Sequence, residues 1–132
     1  FTRRFFAIGS LLANGTVDEI VNADRKEFSD EGLKISIAQV EELGMEALAG
    51  RKDELLAHLH ELVEKEQLDL ICLVITDVTE HYSHILAVGN ESLLQSLPYE
   101  RIADHSFSAP GVVSRKKQIF PAVCQAIRVA RR

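Results

Sequence analysis

Cysteine is scarce in this chain, with only Cys72 and Cys124 in 132 residues. They lack metal-type spacing and form no Cys-rich framework, so both read as reduced core side chains of a cytosolic protein. Long hydrophobic runs are absent as well. No apolar stretch approaches the roughly 18 to 20 residues that span a bilayer, which excludes a transmembrane helix and predicts a soluble protein. There is no initiator Met, and no long apolar centre follows Arg3-Arg4 as a secretory signal requires, so the sequence is expected to be a cut-out domain or to open on a linker remnant. Acidic residues vanish from the end of the chain. Residues 1–111 carry 9 Lys/Arg against 20 Asp/Glu, whereas residues 112–132 carry six cations and no acid, within a net charge of -5. Such a split can mark a tail that meets nucleic acid. Here the tail has one aromatic, Phe120, and the acidic body repels a polyanion at long range. A small, densely charged anion fits better.

What is present suffices for one domain with a real core: 46% of the residues are hydrophobic. Phe5, Phe6, Ile8, Leu11 and Leu12 follow a helical pattern that Asn14-Gly15 stops, so residues 1–15 form a linker or leading helix ahead of a domain at 16–132. Thr16 and Glu19 make a capping box for a short helix through Ile20 and Val21. A hairpin is expected next: Asp24 to Phe28 in its first arm, Ser29-Asp30-Glu31-Gly32 as the turn, and Leu33, Ile35 and Ile37 alternating with polar residues in the second arm. Arg51 to Gln67 reads as an amphipathic helix with Leu55, Leu59, Leu62 and Val63 on one stripe. His58 and His60 on it point about 200° apart and cannot readily share a metal. Leu68 to Ile75 is rich in β-branched residues and predicts a central strand covered on both faces. Asp77 after it either faces a ligand or ties down a turn. His81 and His84 precede another strand, Ile85 to Gly89, and no carboxylate cluster placed by spacing makes them a metal site. Asn90 caps a short helix that Pro98 ends. Tyr99 to Ala109 reads as irregular with a short strand around Phe107, and a last helix follows Pro121.

The most informative stretch is Gly111-Val112-Val113-Ser114-Arg115-Lys116-Lys117-Gln118, just before Ile119-Phe120-Pro121. Three consecutive cations lie between an apolar pair that reads as strand and a proline that can open a helix. As a solvated edge they would merely keep a strand from pairing. As a phosphate clamp, Arg115 offers a planar fork, Lys116 and Lys117 add mobile charges, and Ser114 and Gln118 supply neutral donors. The cations precede a helix N-terminus, where anions are favoured. The arginines at 128, 131 and 132 suit the opposite helix end for purely structural reasons.

The basic stretch, preceded by Gly111-Val112-Val113 and followed by Pro121, resembles the C-terminal signature of the family II, manganese-dependent inorganic pyrophosphatases. Thr16 to Ile20 leading into Asp24-Arg25-Lys26-Glu27-Phe28, Ile37 to Val40, Leu73 to Asp77 and Ala87 to Glu91 resemble that family in the same order and with similar spacing. The resemblance covers nearly all of the chain after Thr16. It implies that Lys26, between the Asp and the Glu-Phe, contacts substrate phosphate together with Arg115 and Lys116, which leaves Lys117 as a secondary electrostatic helper or a structural residue. Arg25 stands where a smaller residue is common. In a regular strand Arg115 and Lys116 would face opposite ways, so a bend or strand end is inferred there.

The family's metal ligands, Asp and His residues that include an Asp-His-His motif, belong to a preceding domain, and no Asp-His-His occurs here. The resemblance therefore implies the C-terminal, DHH-associated domain of a pyrophosphatase, inactive alone, with no catalytic or metal-binding residue of its own. The Mn2+ or Mg2+ would be bound by an N-terminal DHH domain of the same chain, with pyrophosphate held between the two. Further expectations are a cytoplasmic, homo-oligomeric parent and no nucleic-acid or membrane partner. Two alternatives remain: the same domain of an exopolyphosphatase or prune-type phosphoesterase, and a non-catalytic phospho-ligand binding module. The expected fold is a single α/β domain, a mixed sheet of about five strands with helices on both faces.

Overall fold

The computed structural model describes residues 16–22, 24–30, 32–41, 46–76, 82–110 and 118–132. Its first element, α1 (Val17–Asn22), starts at the expected box. The Glu19 N–H donates to the Thr16 hydroxyl oxygen at 3.1 Å, and that hydroxyl donates to the Glu19 carboxylate at 3.1 Å. The chain then forms β1 (Arg25–Asp30) and β2 (Leu33–Glu41), the predicted antiparallel hairpin. Asp30 pairs with Leu33, so the turn has shrunk to two residues, and Gly32 supplies the positive φ of 84° that such a turn requires.

Helix α2 (Glu46–Glu66) crosses to β3 (Leu70–Thr76), which runs parallel to β2. The crossover ends in a Schellman turn: Gln67 adopts φ 53°, and the Leu68 N–H donates to the Val63 carbonyl at 3.0 Å. Every residue of β3 is buried, as expected for a central strand covered on both faces. The antiparallel β4 (Tyr82–Gly89) follows, then α3 (Glu91–Gln95), where the Asn90 side chain accepts the Ser92 N–H at 2.9 Å. A hairpin of β5 (Glu100–Ala103) and β6 (Ser106–Pro110) precedes α4 (Ile119–Ala130).

The sheet is mixed and six-stranded, in the order β1-β2-β3-β4-β6-β5. The strand missing from the sequence reading is β5, in the segment read as irregular. It lies on the sheet's edge with Ile102 exposed, so it carries no clean alternation of buried and exposed residues. The expected strand at 112–113 lies outside the described residues, as do the leading helix and Asp77. The last helix starts two residues before Pro121, whose missing N–H costs no helical bond in the first turn.

Two cores divide at the sheet. On one face α1 and α2 bury Ile20, Val21, Leu55, Leu59 and Leu62 against Ala38, Val40, Leu73, Ile75 and Leu86. On the other, α3 and α4 bury Leu93, Leu94, Ile119, Val123 and Ile127 against Ile35, Ile37, Cys72, Val74 and Ile85. Both cysteines are free and buried, and burial pushes the Cys72 thiol up to about 12.

Candidate functional site

Strand directions decide where ligand-facing groups can gather. The strands β2, β3 and β6 run one way, while β1, β4 and β5 run the other. One end of the sheet therefore collects the ends of β2, β3 and β6, at Glu41, Thr76 and Pro110, and the starts of β1 and β4, at Arg25 and Tyr82. In α/β sheets the carboxyl ends of parallel strands are where ligands bind.

Lys26 lies further in, level with the middle of β2 and β3. It pairs with Ile37 and Phe28 pairs with Ile35, and residues directly opposite in an antiparallel ladder share a face. Ile37 and Ile35 belong to the core under α4, so Lys26 and Phe28 lie on the α4 side of the sheet. Lys26 is exposed and makes no hydrogen bond or ion pair among the described residues, despite Glu27 beside it.

Its neighbour Arg25 points to the opposite face and is fully committed. The guanidinium forks onto the Glu66 carboxylate at the end of α2, with Nη1 3.1 Å from Oε2 and Nη2 on Oε1. Its Nε donates to the buried Ser36 hydroxyl at 2.5 Å. This hydrogen bond from Arg25 holds the Glu66 carboxyl below the usual carboxylate range. Arg25 thus pins β1 to α2 and turns Lys26 the other way, which accounts for a large residue at a position where the family resemblance implied a smaller one.

Of the other predicted site residues, Gln118 is described. It is the N-cap of α4, yet its side chain makes no capping bond and is exposed, while its carbonyl accepts the Ala122 N–H at 2.9 Å. Ser114, Arg115, Lys116 and Lys117 lie outside the described residues, as does the bend inferred between Arg115 and Lys116. The chain on either side of them is fixed. Pro110 pairs with Tyr82 at the ligand end of the sheet, and just past Gln118 the Phe120 ring sits edge-on to Phe28 with centroids 6.5 Å apart. Phe28 is two residues from Lys26 on the same face. Lys26 and the helix that Gln118 opens therefore lie on the same side of the sheet.

The histidines follow their own logic. His58 is half-buried with Nε2 3.7 Å from the Asp18 carboxylate. The His60 ring meets that of His105 edge-on at 5.2 Å, a contact between distant segments that no spacing announced. His84 is half-buried, and burial first, with the Lys52 charge second, lowers its pKa. His81 lies outside the described residues. Among the described residues no three His, Cys, Asp or Glu side chains come together as a metal site. The Lys26 ammonium and the Gln118 amide are donors that suit phosphate oxygens.

A family model described as the DHHA2 domain matches residues 3–126. The chain belongs to the DHHA2 domain family. This DHHA2 domain is 38% identical over 120 residues to the manganese-dependent inorganic pyrophosphatase of Bacillus subtilis, covering 90% of this chain and 39% of that protein. It is 34% identical over 128 residues to the cobalt-dependent inorganic pyrophosphatase of Clostridium perfringens, covering 96% of this chain and 23% of that protein. A crystal structure from Methanococcus jannaschii, of a protein named as a family II inorganic pyrophosphatase, superposes with a TM-score of 0.79 at 30% identity. It matches 95% of this chain and 40% of its own. The DHHA2 domain thus spans well under half the length of these relatives, and the resemblance to family II pyrophosphatases holds along nearly its whole length.

Proposed function

We propose that this DHHA2 domain is the substrate-binding part of an inorganic pyrophosphatase that hydrolyses diphosphate to two phosphates. The observation that carries the reading is Lys26, exposed and without a hydrogen bond or ion pair among the described residues, on the side of the sheet that α4 covers. The names of the relatives supply the substrate. In this reading Lys26, Arg115 and Lys116 donate to phosphoryl oxygens, with Ser114, Lys117 and Gln118 around them. Divalent metal, manganese by the relatives' names, belongs to a DHH domain of the parent protein and supplies the activated water there.

The work of this domain is electrostatic. Donors already aimed at a phosphoryl group favour the negative charge that grows on the leaving phosphate, and closing them over the substrate excludes water that would weaken each contact. Arg115 holds two oxygens at fixed geometry, while Lys26 reaches from β1 as a point charge. The acidic body argues against nucleic acid as partner. Buried free cysteines suit a reducing cytoplasm. A homo-oligomeric parent belongs to the same reading and is checked by its mass in solution.

The test is release of phosphate from pyrophosphate by the full-length protein with manganese, beside the isolated domain. Activity in the full-length protein alone supports the reading. Inactivity on pyrophosphate with turnover of longer polyphosphates would assign the domain to a polyphosphatase instead.

A further inference from the structure

Among the described residues strand β1 is an edge strand, hydrogen-bonded only to β2. Nothing in the ladder fixes its outer side, and Lys26 itself has no partner among the described residues. Two side chains anchor the strand. Arg25 does so on the α2 face, and on the α4 face the anchor is Phe28. Its ring meets the Phe120 edge at 6.5 Å with an interplanar angle of 76°, and the Arg128 guanidinium lies 4.7 Å from its centroid. Phe120 and Arg128 are eight residues apart on α4, so they share a stripe of the helix, next to the stripe of Ile119, Val123 and Ile127 that is buried in the core.

The two stripes do different things. Aliphatic burial is non-directional and holds α4 on the sheet without setting how far it slides or rolls. An aromatic edge contact and a cation over a ring have preferred geometries. The Phe28 ring therefore sets the position of α4 along β1. Lys26 stands about 6 to 7 Å from Phe28 along the strand, and Gln118 is two residues from Phe120, so one ring is close in sequence to Lys26 and in contact with α4 just past Gln118.

We infer that Phe28 is a positioning residue: its ring, gripped by Phe120 and Arg128, sets the separation between Lys26 and the opening of α4 at Gln118. The inference rests on the phosphate-binding reading above. Phe28 touches no substrate and acts through Lys26, because a displacement of about 1 Å between two groups that hold one small ligand is costly.

The experiment measures kcat/KM for pyrophosphate in the full-length protein for wild type, Phe28→Leu, Lys26→Ala and the double variant, with thermal unfolding of each. Phe28→Leu is expected to lower kcat/KM about tenfold, with Phe28→Tyr, which keeps the ring, restoring most of it. In the Lys26→Ala background the same change should cost less than about twofold, since the group it positions is gone. An equal loss in both backgrounds, or no loss, overturns the inference while leaving the phosphate reading intact. Wild-type kinetics in Lys26→Ala would remove the reading and the inference with it. Should Phe28→Leu fail to fold, Phe28→Met keeps the volume without the ring and makes the same comparison.

Discussion

Arg25 and Glu66, 41 residues apart, form a two-pronged salt bridge that joins the edge strand to the end of the longest described helix. Arg25 also serves the buried Ser36 hydroxyl, so its loss strands a polar atom as well as a charge. Arg25→Ala is expected to destabilise the domain by about 2 kcal/mol, measured as a lower urea midpoint with unchanged slope.

The same pair makes a pH prediction. The folded-state pKa of Glu66 is depressed below its ordinary 4.5, so the stability it contributes is fully present above that value. It is lost as pH falls through the depressed folded value. Glu66→Gln should be less stable than wild type at pH 7, with the difference closing in acid. A difference that stays constant down to the acid transition would contradict this account.

His84 sets a second pH dependence, nearer neutrality. Its pKa is lowered from 6.5, so the unfolded chain takes up a proton before the folded one does. Stability should be complete above pH 6.5 and decline as pH falls from there through the lowered folded value. His84→Leu should flatten that slope in unfolding free energies measured between pH 7.5 and 5.5, a window spanning about one pH unit on each side of the ordinary histidine value.

Gly89 admits no side chain. A Cβ there would lie 2.3 Å from the Asp69 carbonyl oxygen and 2.8 Å from the Leu70 Cα, both backbone atoms of the paired strand region. Gly89→Ala is expected to cost about 3 kcal/mol. Gln67 presents the opposite case, a non-glycine residue at φ 53° closing α2. Gln67→Gly should stabilise by roughly 0.5 to 1 kcal/mol, the relief of left-handed strain less the extra entropy of glycine. Thermal melts of both variants check the signs.

Local chemistry made much of the fold legible. Thr16 and Glu19 announce α1 because the cap needs only residues three apart, and β3 announces itself because a strand buried on both faces is apolar throughout. The hairpin at 25–41 followed from alternation in its second arm. Strand β5 was missed because an edge strand with exposed Ile102 carries no such pattern. At the site, the resemblance singled out Lys26, but its face depends on register against Ile37. The grip of Glu66 on Arg25 and of Phe120 and Arg128 on Phe28 joins segments far apart in sequence, which no spacing rule reaches.

The central claim is that Lys26 and the basic segment hold phosphate, and it is tested most directly by kcat/KM for pyrophosphate in the full-length protein carrying Lys26→Ala or Arg115→Ala. Each charge-assisted contact is worth roughly 1.5 to 3 kcal/mol, so each variant should lose about ten- to a hundredfold with its fold intact. Wild-type kinetics in both variants would contradict the account.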